Sequence, residues 1–231
     1  MKLISFVSFK GGAGKTTALM TVASSLIGQG EKIALLEADE NAPLARWKEN
    51  AQSIGTWSDQ ITVMPADTED SLEKSFATAE ATGCSYALID TAGGGSELNM
   101  MAMASSDGII IPTGLSVLDL DDALSTLDFA ARLSQTLDQP LKMRILFTRF
   151  PQGKLKAAEQ ANLTSMAPVP QFTARLTERG AFADIKATGL LHAYYEMLRA
   201  EPARRLLARH FETALAEVKA VTDELLDMVQ A

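Results

Sequence analysis

Short apolar runs alternate along this chain with longer stretches in which apolar residues recur every three to four positions, so two periods separate strands from helices. The runs Lys2–Ser8, Lys32–Ala38, Ile61–Met64, Tyr86–Asp90, Gly108–Pro112 and Lys142–Thr148 have strand length. Between them the helical period predicts helices over Gly14–Gly28, Glu69–Ala81, Ser96–Ser105, Asp119–Leu137, Leu155–Asn162 and Thr177–Ala187. Gly28 and Gly30 supply stop signals for the first. A last helix is expected from Pro202 to about Val229, with proline near its first turn, where no intrahelical donor is lost. Alternation of strand and helix is the pattern of an α/β fold: a doubly wound, mostly parallel sheet with helices on both faces. Nothing repeats, and no stretch rich in Pro, Gly or Ser resembles a linker. The 231 residues are therefore read as one domain, 1–231.

Composition changes this picture little: 47% apolar and 22% charged residues is an ordinary folded balance. Cys84 is the only cysteine and cannot form an internal disulfide. The apolar stretch Leu3–Val7 is too short for the core of a signal peptide, and no run approaches the roughly 18 apolar residues of a membrane span. A reducing, cytoplasmic setting follows. The net charge of −8 confines any nucleic-acid contact to one local face. Candidates for such a face are Arg199, Arg204, Arg205 and Arg209, with Lys154 and Lys156. Arg205 and Arg209 share a helical face; the plainer reading is a solvated surface on which Glu201 and Glu212 partner the arginines. Met100, Met101 and Met103 are read as core packing ahead of an adaptable partner surface. His192 and His210 lack partners at metal-ligand spacing, and Cys84 is read as a small buried apolar residue.

The chemistry-bearing string is Lys10-Gly11-Gly12-Ala13-Gly14-Lys15-Thr16-Thr17, which follows a predicted strand and opens a predicted helix. Gly11, Gly12 and Gly14 permit positive φ and close approach of backbone N–H groups to phosphate oxygens, and the helix N-terminus adds partial positive charge. Lys15 is expected on the β- and γ-phosphates, Thr16 on Mg²⁺ and Thr17 on the α-phosphate. The strand Tyr86–Asp90 ends in an aspartate about 75 residues beyond this loop, where Asp90 would hold Mg²⁺ directly or through water. Thr91-Ala92-Gly93-Gly94-Gly95 follows, a loop able to rearrange when a phosphate leaves. Glu37 and Asp39 end the second strand, the edge at which a doubly wound sheet presents ligand-contacting groups. Either acid can instead cap the segment beginning Asn41-Ala42-Pro43.

Phe9 stands where the ordinary phosphate loop carries glycine, and Lys10 with two following glycines stands beside it. In this the chain resembles the deviant phosphate-loop ATPases of the ParA/MinD family. The resemblance implies a P-loop NTPase that takes ATP with Mg²⁺ and dimerises when ATP is bound. It implies that Lys10 reaches the partner's nucleotide and that Asp39 positions the attacking water, with Glu37 where the family usually carries aspartate. Thr148 stands where the family has an asparagine near the adenine; backbone groups around Arg149 to Pro151 remain able to read the base. Leu176–Phe182 resembles a family segment that closes over the base and then forms a helix, though a simple amphipathic helix start explains it nearly as well. The stretches Glu37–Asn50, Ser96–Asn99 and Asp119–Thr126 resemble the VirC-type ATPases of T-DNA transfer and conjugative plasmids. What this implies is binding to plasmid or transfer DNA and to protein partners of a relaxosome or secretion channel, placed at the cell pole. The alternative is a partition ATPase at the nucleoid, working with a DNA-bound adaptor. A MinD-like membrane anchor is disfavoured by the acidic end Val221–Val229. A nitrogenase-type iron–sulfur dimer fails for want of cysteines. A nucleotide-binding adaptor without hydrolysis has nothing in its favour, since Lys15, Thr16, Asp39 and Asp90 are all present.

Overall fold

Alternate residues along each strand enter opposite cores, which is the side-chain geometry of a sheet covered on both faces. In the computed structural model, which describes residues 1–91, 93–137 and 140–230, the strands are β1 (Lys2–Phe6), β2 (Ile33–Glu37), β3 (Ile61–Pro65), β4 (Tyr86–Asp90), β5 (Gly108–Thr113) and β6 (Met143–Phe147). Ala92, in the glycine loop singled out above, lies outside the described residues. The six strands order β3-β2-β4-β1-β5-β6 and every pairing is parallel. Each strand boundary falls within two residues of its expected place.

Helices α1 (Lys15–Gly28), α2 (Pro43–Ser53), α3 (Glu69–Ala81), α4 (Glu97–Ala104), α5 (Val117–Ser134) and α6 (Ala157–Ser165) occupy the crossovers and the segment after β6. The short turns α7 (Gly180–Ala183) and α8 (Ile185–Thr188), then α9 (Leu191–Ala200) and α10 (Arg205–Gln230), complete the described chain. Ile4, Phe6, Ile33, Leu35 and Leu88 pack on one side with α1 and α10. Leu3, Ala34, Leu36, Ala87 and Ile89 face the other, a layer continued by Ile109, Ile111 and Phe147 under α5. Cys84 and Met103 are buried in these cores, as expected, whereas Met101 is only partly buried at a core edge and Met100 belongs to no core among the described residues.

Two helix expectations need correction, and two helices lie outside them. Thr177–Ala187 is no single helix: Leu176–Arg179 is an extended strap beside β6, bridged at Phe150–Thr177, and only then come α7 and α8. Helices α2 and α9 were not expected at all. The last helix starts at Arg205, with Pro202–Arg204 forming a separate 3₁₀ turn. Helix α2 begins without a cap of its own, because the Glu37 carboxylate from the end of β2 accepts from Leu44 N at 2.9 Å and Ala45 N at 2.8 Å.

Candidate nucleotide-binding site

From β1 the chain turns into α1 through the glycine string, where the crossover from β1 runs toward β2 and the one from its neighbour β5 runs the other way to β6. Gly12 (φ 80°) and Gly14 (φ 96°) occupy the left-handed region, whereas Gly11 does not, which corrects the expectation for that residue. No side chain caps α1, so its first N–H groups remain available to an anion. Thr17 and Gly12 line a cavity of about 260 Å³ beside this helix start.

Lys15 is buried, and burial lowers its pKa against the opposing pull of Asp90, Asp39 and Asp122. Thr16 Oγ1 donates to Asp90 Oδ2 at 2.7 Å. Asp90 is 1% exposed and its Oδ1 is buried without a partner. Burial pushes its carboxyl up to about 6, with the Thr16 hydrogen bond and the Lys15 charge pulling the other way. A buried carboxylate oxygen with nothing to bond, beside a hydroxyl at a phosphate loop, is an oxygen donor set that fits Mg²⁺.

Asp39 Oδ1 accepts from Asn41 N and Nδ2, both at 2.9 Å, and the residue lines a cavity with Thr16, Arg46 and Lys186. Of the acidic pair, Glu37 caps α2, and Asp39 bonds the start of the same segment at Asn41 while lining the space next to Thr16. Thr91 Oγ1 bonds Phe6 O at 2.8 Å, and a side chain at Gly93 would meet Gly11 N at 3.7 Å, so the second glycine loop lies against the first.

Lys10 Nζ is bound within its own chain to Asp119 Oδ1 at 2.7 Å. Asp119 Oδ2 in turn accepts from Ser116 Oγ at 2.7 Å. Asp122, one turn further on α5, accepts from Ser8 Oγ at 2.8 Å and acts electrostatically on Lys15. Neither acid was singled out from the sequence as a site residue, although both lie in Asp119–Thr126. Their three-residue spacing at a helix start was the available signal.

Thr148 and Arg149 do line the cavity next to the phosphate loop, together with Leu176–Arg179 and Phe182. Thr148 Oγ1 is turned onto the carbonyls of Ala13 (3.2 Å) and Thr113 (3.3 Å). Arg149 holds φ 49°, a strained conformation for a residue with a side chain. Arg199, Arg205 and Arg209 gather around one groove between α9 and α10. Arg199 pairs with Glu196 and Arg204 with Glu201; Arg205 bonds the Arg199 carbonyl. Lys154 and Lys156 are exposed before α6 and line no part of that groove.

This sheet order and phosphate loop define a ParA/MinD-type P-loop NTPase. MinD of Pyrococcus horikoshii, solved with Mg-ADP, superposes with a TM-score of 0.66 at 18% identity over 99% of this chain and 98% of its own. A family model described as VirC1 protein matches residues 1–231, and the chain belongs to that family. It is 42% identical to protein virC1 of Rhizobium rhizogenes over 222 residues, 96% of each chain. With protein virC1 of Rhizobium radiobacter it shares 38% identity over 231 residues, the whole of both. No helix of the described residues is long and apolar enough to cross a membrane.

Proposed function

We propose that this single-domain, cytoplasmic chain is an ATP-dependent dimeric switch that binds plasmid or transfer DNA and helps position a DNA-processing or transfer complex at the cell pole. The observation that carries the nucleotide half is the unpartnered buried Asp90 Oδ1 beside Thr16. In this reading the first amides of α1 and Lys15 bind the β- and γ-phosphates, Thr17 the α-phosphate, and Thr16 and Asp90 hold Mg²⁺. Bound there, the ion neutralises charge on the transferring phosphoryl group. Asp39 orients the attacking water, and Lys10 leaves Asp119 to reach the nucleotide of a second copy. Val117 and Leu118, 60% and 73% exposed directly before Asp119, supply apolar surface for that copy. Turnover is slow and stimulated by a partner, as the resemblance implies, at a site that works by positioning and charge neutralisation.

The DNA half rests on the groove of Arg199, Arg205 and Arg209 in a chain of net charge −8. Light scattering after size exclusion, with ADP, ATP, and ATP plus DNA, tests both halves. Mass doubling only with ATP, and co-elution with DNA only then, is expected. A mass indifferent to nucleotide would sink the switch, and calorimetry without any ATP signal would sink the site.

A further inference from the structure

The wall of the base cavity is not self-supporting. Thr148, at the position expected to face the base, has its hydroxyl engaged by the Ala13 and Thr113 carbonyls. Contact with the base is left chiefly to the strap Leu176–Arg179 and to Phe182 behind it. One edge of the strap is tied to β6 and the residues just after it: Leu176 N donates to Phe147 O at 2.9 Å, and Phe150 N to Leu176 O at 3.0 Å. The other edge is tied to one carboxylate about 40 residues further along the chain. Glu217 of α10 accepts from Thr177 N at 3.0 Å, from Thr177 Oγ1 at 2.9 Å, and from Arg179 Nε at 2.9 Å and Nη2 at 2.6 Å. Glu217 and Arg179 have side chains only 17% and 22% exposed, so this cluster is shielded from solvent more than a surface pair. Two turns along α10, Glu224 accepts from Thr173 N at 2.8 Å and Ala174 N at 2.7 Å, outside the cavity.

Resting on the nucleotide reading above, we propose that Glu217 is the positioning residue of the base cavity: it fixes Thr177 and Arg179 so that a purine base is held, while the phosphates are held independently by the glycine loop. The chemistry is that of preorganisation. Without the carboxylate, the strap must be ordered by the ligand, and a half-buried guanidinium and amide lose their acceptor. The cost falls on ligands that have a base and spares those that are phosphate alone.

Calorimetry with Mg-ATP and with Mg-tripolyphosphate separates the two parts, with thermal melting as the check on folding. Glu217→Ala is expected to weaken ATP roughly tenfold and leave tripolyphosphate within about twofold. Glu217→Gln, which keeps an acceptor for Thr177 but not the charge facing Arg179, is expected to fall between and carries the test if the alanine variant does not fold. Glu224→Ala is expected to lower the melting temperature yet keep ATP within about twofold of wild type. Equal loss of both ligands in the Glu217 variants, no loss of either, or the same ATP loss in Glu224→Ala would overturn the role of Glu217. A wild-type chain that binds neither ligand would overturn the nucleotide reading itself.

Discussion

Lys10 Nζ lies 2.7 Å from Asp119 Oδ1 of its own chain, so the lysine assigned to the partner's nucleotide starts bound at home. Burial works against ionisation of Asp119, but the Lys10 and Ser116 hydrogen bonds outweigh it and hold the carboxyl below its usual range. With a lysine nearly half exposed, the pair contributes less than about 1 kcal/mol, or about fivefold in an equilibrium. A symmetric dimer releases two such pairs, so Asp119→Asn should favour the ATP-bound dimer by no more than about 25-fold and leave the ADP form unchanged. Light scattering across an ATP series checks this; a shift toward monomer would mean that Asp119 serves the dimer instead.

Asp90 makes the protein without ligand sensitive to pH in a defined direction. Its folded pKa of about 6 lies above the ordinary 3.8, so the native state binds more protons between these values and stability falls as pH rises through that window. The difference of about two units corresponds to roughly 3 kcal/mol lost by neutral pH. Asp90→Asn keeps an acceptor for Thr16 and removes the buried charge. It should melt higher than wild type at neutral pH, match it more closely near pH 4, and lose Mg²⁺-dependent nucleotide binding. In the proposed reading Mg²⁺ would compete with the proton at Asp90, so affinity for Mg-ATP should drop as pH falls below about 6. Melting curves and calorimetry across pH measure both effects.

The strands were legible because they are buried on both faces: β2, β4 and β5 are buried along their whole lengths, and such runs stand out whatever surrounds them. Helix α2 was missed although Leu44, Trp47 and Ala51 recur at helical spacing, because Asn41-Ala42-Pro43 reads as a turn and the cap comes from Glu37 on another element. Helix α9 buries Leu191 and Leu198, two positions seven apart, too sparse a stripe to stand out. The misread helix at Thr177 has the same root. Local propensity favours helix there, and the strap is held extended by β6 and Glu217, contacts no local window contains. Lys15, Thr16 and Asp90 were legible as a site because a strand, a glycine turn and a helix start fix their relation locally. Asp119 and Asp122 reach the same place only through the fold.

The two glycines flanking Ala13 predict different outcomes from their neighbour Gly11. Gly14 has φ 96°, and a Cβ there would lie 3.0 Å from Thr148 Oγ1. Gly14→Ala should destabilise the unliganded protein by about 1–3 kcal/mol, Gly12→Ala by a smaller amount on backbone strain alone. Gly11→Ala, with an ordinary φ and open space around its Cβ, should leave the melting temperature unchanged. Chemical denaturation of the three variants ranks them.

In the proposed reading, Lys15 serves binding and Asp39 hydrolysis, and variants should separate the two. Lys15→Ala removes the buried cation facing the phosphates and should lower ATP affinity by tenfold or more, with about 2 kcal/mol of charge-assisted bonding lost. Asp39→Ala leaves the phosphate loop intact and should bind ATP normally, hydrolyse it at least about a hundredfold more slowly and accumulate as dimer. Paired calorimetry and single-turnover hydrolysis tell the two apart, and unchanged turnover in both variants would remove these residues from the mechanism.

The arginine groove predicts a salt dependence rather than a sequence preference. Arg199 and Arg204 are each engaged with a glutamate, whereas Arg205 bonds only a carbonyl and Arg209 has no ion-pair partner among the described residues. Neither has an ion pair to break before meeting a phosphate, so Arg205 and Arg209 should carry most of the contact. Replacing both with alanine should weaken binding of the ATP form to unrelated duplexes by a similar factor. The slope of log affinity against log salt should also drop by about two for each protomer of the dimer that touches the DNA. Lys154→Ala with Lys156→Ala, on a segment that lines no part of the groove, should change that slope by much less. Fluorescence anisotropy over a salt series reads the slopes directly; equal changes in the two double variants would extend the DNA face to the segment before α6.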